Sequence, residues 1–211
     1  MLEIIDCEQG SPEWFAVRAG LATASEFSVV MAKGKDGGAS VTRAKYMRQL
    51  AGEILTGEPS PEGFSNWATD RGHALEDEAR QYYAFTRDIE PQRVGFLRGD
   101  IAGCSPDSLI GEDGGLEIKI AIPAVQIERL MRGVLPSEHK AQVHGSMWVS
   151  TRPWWDFMSY CPRLPPLIIR VQRDPEYIGQ IERSVTAFNE ERDSIVDAIR
   201  TYQDFRGQAA A

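Results

Sequence analysis

The chain has 211 residues, 42% of them hydrophobic, with a formal net charge of −8; it can bury a sizeable core, and it is neither a disordered polyelectrolyte nor a broadly basic, phosphate-tracking surface. No run of 18 apolar residues occurs, and the start "MLEIIDCEQG" lacks the features of a signal peptide, so a cytoplasmic chain with no membrane contact is expected. Cys7, Cys104 and Cys161 form no CxxC, and His73, His139 and His144 show no ligand spacing, which excludes a disulfide framework or a zinc knuckle.

In chain order, "SPEWFAVRAG" predicts a short helix, with Ser11 as N-cap, Pro12 at the first helical position and Gly20 at the far end. Thr23 and Glu26 have capping-box spacing, so a second helix is expected to start between Thr23 and Ser25 with its free amides exposed there. "KGKDGGAS" reads as a flexible loop. A helix from Thr42 to Leu55 puts Tyr46, Met47, Leu50, Ile54 and Leu55 on one face and stops at Gly57. Another is expected from about Asn66 to Phe85.

The stretch "RVGFLRGDIAGCSPDSLIGEDGGLEIKIAI" predicts three or four antiparallel strands. "PAVQIERLM" and "SEHKAQVHGSMWVS" read as helices, "WWDFMSYCP" and "LIIRVQRD" as strands, and 175–205 as a long amphipathic helix. The order implies one domain spanning 1–211, of mixed α/β or α+β class, in which a single central sheet is covered by helices.

The chemistry concentrates in "CSPDSLIGEDGGLEIK", residues 104–119. In an extended "LEIKI", Glu117 and Lys119 share one face while Leu116, Ile118 and Ile120 face the core. If Ile110 pairs with Leu116 across a "GEDGG" loop, Asp107 falls opposite Lys119 and diagonal to Glu117, all within roughly 5–8 Å. A hard divalent cation such as Mg²⁺ can bridge that span, using one or two carboxylates and a substrate phosphate. A lysine beside it can orient or help deprotonate an attacking water. From these residues alone a surface ion-pair hairpin stays open as an alternative. Glu76, on the fourth predicted helix, could aim a further carboxylate at the site, and Gln142 is an amide on the sixth.

"SPD" followed by "LEIK" is similar to the PD-(D/E)XK nuclease signature. Together with "GSPEWFAVRAGLATAS", "RGHALEDEA", "HKAQVHGSMWV" and "WWDFMSYCP", it resembles the bacteriophage lambda exonuclease, or YqaJ-like alkaline exonuclease, family over roughly residues 10–160. The resemblance implies a restriction-endonuclease-like core with a central mixed β-sheet flanked by helices. It implies Asp107, Glu117 and the Ile118 backbone carbonyl as Mg²⁺ ligands, with Glu76 completing the site, one or two ions bound and Mn²⁺ able to substitute. Lys119 would position the nucleophilic water, Gln142 would assist it, and Arg18, Ser25 and Ser105 would grip a 5'-terminal phosphate.

The same resemblance implies a phage- or prophage-encoded exonuclease acting 5' to 3' on linear duplex DNA. A homotrimeric ring and a single-strand annealing protein as partner would go with it, in the service of recombination. An endonuclease using the same chemistry, a DNA-binding module with a decayed site and a hydrolase of other phosphoesters are the alternatives. The acidic balance requires positive charge to be concentrated locally, with Lys33, Lys35, Arg43, Lys45 and Arg48 as candidates.

Overall fold

A computed structural model describes residues 1–34, 40–60 and 70–209. Strand β1 (Glu3–Ile5) leads to helix α1 (Pro12–Arg18), a 3₁₀ turn (Ala24–Glu26), the one-turn helix α2 (Phe27–Val30) and α3 (Val41–Thr56). After α4 (Asp70–Arg87) come β2 (Phe96–Arg98), β3 (Gly103–Cys104), β4 (Ser108–Ile110) and β5 (Gly114–Ile120). Helices α5 (Pro123–Arg132) and α6 (Ser137–Ser150), strands β6 (Trp154–Tyr160) and β7 (Leu167–Gln172), and helix α7 (Pro175–Ala209) complete the chain.

The central sheet is mixed, in the order β4-β5-β6-β7, and helices flank it as expected. Its middle is the parallel pair β5 and β6, aligned from Gly114↔Trp154 to Ile120↔Tyr160. A parallel pair needs a long crossover, and α5 and α6 supply it. The predicted single sheet is in fact divided. β2 and β3 join β1, a strand the sequence reading lacked, in a separate antiparallel sheet. The break falls at Ser105–Asp107, so the residues ahead of β4 lie between the two sheets.

The hairpin register differs from the expected one. Ser108 pairs with Leu116 and Ile110 with Gly114, because Gly114 and Gly115 belong to the strand and not to the turn. Both are glycine for a steric reason. A Cβ at Gly114 would lie 2.1 Å from the Trp154 ring, and one at Gly115 2.3 Å from the Trp155 ring. The turn shrinks to residues 111–113, with Gly111 taking the left-handed conformation at φ 52°. Continued one step, the register sets Asp107 opposite Glu117 and not Lys119.

Two apolar layers cover the sheet. Phe27, Met147, Trp155, Phe157, Val185 and Phe188 anchor the larger, under α6 and α7. Leu116, Ile118 and Met158 pack with Tyr83 of α4 on the other face, and Ile120 is half-buried against them. In α3 the predicted face is only partly realised. Met47 and Leu50 are buried, but Leu55 is 36% exposed and buried Glu53 accepts from the Gly20 amide at 2.8 Å.

The capping box does not form. Thr23 makes no side-chain cap bond, its hydroxyl lies 3.3 Å from that of Ser25, and the segment opens as a 3₁₀ turn before a single turn of α-helix. The predicted start of the fourth helix, residues 66–69, lies outside the described residues, as do 35–39 of the glycine-rich loop. Among the described residues no helix is long and apolar enough to cross a membrane.

Candidate active site

Strand β5 brings Glu117 and Lys119 to the face covered by α6, and the side chains meet there. Lys119 Nζ lies 2.6 Å from Glu117 Oε1, and Gln142 Nε2 donates to the same oxygen at 2.6 Å. The other oxygen, Oε2, is buried without a hydrogen-bond partner. Asp107 Oδ2 accepts from the Ile118 amide at 2.5 Å. In an extended strand a residue's N–H and C=O project to the same edge, so the Ile118 carbonyl faces the side on which Asp107 lies.

The charges of this cluster are coupled. Burial, followed by the nearby Glu117 and Glu76 carboxylates, pushes the Asp107 carboxyl well above the usual carboxylate range, and Lys119 offsets only part of this. Burial by itself would lower the Lys119 ammonium. Glu117, Asp107 and Glu76 together outweigh it and hold that ammonium above its ordinary value.

Two crowded carboxylates, one with an orphaned buried oxygen, fit a divalent cation. Among the described residues no three Asp, Glu, His or Cys side chains converge into a ready-made ion cage.

Glu76 approaches from α4, near enough to act on the charges of Asp107 and Lys119. Its Oε1 meets Arg80 Nη2 at 2.5 Å, and it lines a neighbouring hollow of about 900 Å³ that Asp107 also borders. Sequence reasoning missed Arg80. Besides Glu76 it binds Asp77 at 2.7 Å, the Ser108 hydroxyl at 3.0 Å and the Asp107 carbonyl at 3.2 Å, fixing the turn that presents Asp107. Its i,i+4 spacing from Glu76 was the available signal. Gln9 holds the same turn, donating to the Val94 and Pro106 carbonyls at 2.9 Å each.

A cleft of about 590 Å³ runs from Asp107, Glu117, Lys119 and Gln142 to Arg18, Ser25 and Ser105. Of the expected site residues, all but Glu76 and Ile118 line it. Arg18 Nη1 donates to Ser105 Oγ at 3.1 Å, and its guanidinium lies 3.8 Å over the Trp14 ring. Trp14 Nε1 donates to the same hydroxyl at 2.9 Å. Trp14 was read only as part of a helix, although it stands one turn before Arg18 on the same face. Burial works against the Arg18 charge, with Tyr46, Glu26 and Glu53 acting the other way.

Of the candidates for a basic DNA path, Lys33, Lys45 and Arg48 are exposed and Lys45 borders the cleft. Arg43 is not available, because it grips Glu191 through two bonds of 2.7 and 2.8 Å. Lys35 lies outside the described residues.

A mixed sheet whose central strand carries an acid and a lysine two residues apart, with a second acid presented at its edge, defines a PD-(D/E)XK nuclease core. The sequence profile of the YqaJ-like viral recombinase domain matches residues 13–153, and the chain belongs to that family. Two crystal structures of an alkaline exonuclease, LHK-Exo, from Laribacter hongkongensis are similar to it over 95% of this chain and 100% of theirs. One is 32% identical and the other, in complex with dAMP, 33%, each with a TM-score of 0.81. A phage-related exonuclease from Haemophilus somnus 129PT, 16% identical over 85% of this chain and 96% of its own, shares the fold at a TM-score of 0.65. No curated protein sequence matches the chain significantly.

Proposed function

We propose that the protein is a Mg²⁺-dependent exodeoxyribonuclease that degrades one strand of linear duplex DNA from 5'-phosphorylated ends, leaving 3' single strand. Family membership makes it a nuclease acting on DNA, and the alkaline exonuclease relatives support the exonucleolytic reading. The observation that carries the chemistry is Glu117, one oxygen held by Lys119 and Gln142 while the other is buried and orphaned.

Asp107, Glu117 and the Ile118 carbonyl would hold the ion, with Mn²⁺ a workable substitute. When bound, the ion neutralises phosphate charge and lowers the pKa of water. The chain's own groups do the rest. Gln142 and the buried wall fix the Glu117 carboxylate in one orientation. Lys119, kept cationic by the surrounding acids, sits where it can orient the attacking water against the phosphate. Lys119, whose ammonium contacts Glu117 in the absence of an ion, would exchange a proton with the nucleophile once Glu117 and Asp107 were engaged as ligands.

Arg18, Ser105 and Trp14 form the end pocket, a guanidinium and a shared hydroxyl presented to a terminal phosphate. Hydrolysis breaks the bond from phosphorus to the 3' oxygen. The released mononucleotide leaves with its original 5' phosphate and a 3' hydroxyl, and a new 5' phosphate stays on the chain. By analogy with the family, a homotrimeric ring and a single-strand annealing partner complete the reading, in a phage- or prophage-derived recombination role in the bacterial cytoplasm.

The test offers 5'-phosphorylated linear duplex, 5'-hydroxyl linear duplex and closed circles side by side with Mg²⁺. A charge-assisted contact is worth roughly 1.5–3 kcal/mol, so the phosphorylated ends should be degraded at least about tenfold faster. Arg18→Ala should erase most of that difference. Closed circles should persist, and their nicking or linearisation would reassign the protein to the endonucleases.

A further inference from the structure

The end pocket does not stop at Arg18. Beyond it the cleft continues between the 3₁₀ turn and α3, where Glu26, Tyr46, Gln49, Glu53 and Ser60 border it. The space is therefore larger than a phosphate group needs. Beyond Arg18 and away from the acidic end, its charged lining among the described residues is Glu26, Glu53 and Lys45, two acids to one cation.

Glu26 directly follows Ser25, is half-buried and borders the same cleft as Arg18. Deeper in, Glu53 is 8% exposed and is bound by the Gly20 amide at 2.8 Å and the Ser60 amide at 3.1 Å. Gln49 also donates to it, at 3.2 Å. Glu26 has no such donors among the described residues. Burial raises its carboxyl above the ordinary value, and Arg18 pulls it back. Arg18 thus shares the cleft with two acids close enough to act on its charge.

We infer that Glu26, backed by Glu53, limits the end pocket to a single terminal phosphate, so that 5'-monophosphate ends are accepted while 5'-diphosphate and 5'-triphosphate ends are rejected by charge and not by size. The inference rests on the proposed end-binding role of Arg18 and Ser105. A monophosphate satisfies Arg18 and stops there. Each further phosphate of a polyphosphate must lie past Arg18, facing carboxylates in a partly buried cleft where solvent screens poorly. Glu26 acts here as a specificity determinant, not as a catalytic residue.

The experiment uses the full-length protein with Mg²⁺ on four linear duplexes that differ only at the 5' end, carrying hydroxyl, monophosphate, diphosphate or triphosphate. Release of the first nucleotide is measured, because every later cut meets a monophosphate. The wild type should prefer the monophosphate over the triphosphate at least about tenfold, the factor that 1.4 kcal/mol represents, with the diphosphate between them. Glu26→Gln should narrow the monophosphate-to-triphosphate ratio at least about threefold and leave the monophosphate-to-hydroxyl ratio in place.

Equal wild-type rates on hydroxyl and monophosphate would remove the end pocket itself. A monophosphate preference over hydroxyl, with the triphosphate cut equally well, would leave the pocket standing and overturn the charge limit. Rejection of the triphosphate that survives unchanged in a folded Glu26→Gln, confirmed by its melting temperature and monophosphate rate, would also overturn the assignment. Should that variant fail to fold, the four-substrate series in the wild type decides alone.

Discussion

The two ends of the cleft hold charge in opposite ways. At the acidic end, Glu117 is 1% exposed, keeps an unpartnered oxygen and crowds Asp107, whose carboxyl is displaced upward. At the cationic end, Arg18 lies on an indole and shares a serine hydroxyl with that indole's N–H, although burial still lowers its pKa. The difference separates two kinds of site. The acidic end is costly until something binds, and function is what selects for it. The cationic end is a self-consistent receptor whose removal should cost preference more than chemistry.

The largest expected effect breaks the acidic end. Asp107→Asn should lower DNA hydrolysis by at least about a thousandfold, as loss of a metal-binding charge in a catalytic unit does. It should not lower stability. A carboxyl raised in the folded state takes up a proton there more readily than in the unfolded chain, so folding loses free energy as pH rises from the ordinary 3.8 through the folded value. The asparagine variant should lose that pH dependence. Mg²⁺ should raise the melting temperature of the wild type, as any ligand of the folded state does, and EDTA should reverse the gain. The variant should show neither response by calorimetry.

Lys119→Ala divides the acidic end further. Turnover should fall about a hundredfold or more, the range of general acid–base contributions, while isothermal titration still detects Mg²⁺ binding. Loss of ion binding along with the lysine would give that residue a structural role.

At the cationic end Trp14→Phe keeps a ring beneath Arg18 and deletes the donor to Ser105. A net hydrogen bond is worth about 0.5–1.5 kcal/mol, so the preference for phosphorylated ends should fall roughly two- to tenfold with kcat on saturating substrate little changed. An unchanged preference would make the indole a packing element alone.

The smallest effect belongs to His139, which stacks on Phe157. Burial first, then Lys119 and Arg129, lowers its pKa from 6.5 to about 4. Below pH 6.5 the unfolded chain binds a proton that the folded one refuses, so stability should decline from about 6.5 down to about 4. Urea midpoints across that window should flatten in His139→Gln. In Lys119→Ala the decline should become shallower, because one of the charges depressing the imidazole has gone.

Period-two alternation was enough to put Glu117 and Lys119 on one face, and the order of elements to anticipate a sheet under helices, while its mixed character was what the family resemblance implied. It could not set the hairpin register, since Gly114 and Gly115 look like turn residues until Trp154 and Trp155, some forty positions later, are seen to occupy the space above them. Nor could it separate the two sheets, because β1 owes its existence to a partner strand, β2, distant in sequence, and β3 is only two residues long. Arg80 went unread because its partners at Asp107 and Ser108, too, lie far off in sequence. Nothing local marks an arginine that reaches across to the carbonyl of Asp107. Glu26 matched a capping box, and only the half-formed helix that replaced it turned that carboxylate toward the cleft.

The parallel pairing of β5 with β6 bears on where the inherited module ends. Family similarity runs to residue 153, yet the strand that flanks Glu117 and Lys119 along their whole length begins at Trp154. Farther on, Arg192 of α7 donates to the Gly20 carbonyl at 2.8 Å, bracing the turn that follows Arg18. A fragment trimmed to the recognisable segment would keep every reactive side chain and lose the framework that aims them. The unit that recombination or engineering must move intact should therefore extend into the C-terminal helix, past the end of the family profile and in keeping with the 95% of the chain that the LHK-Exo structures cover.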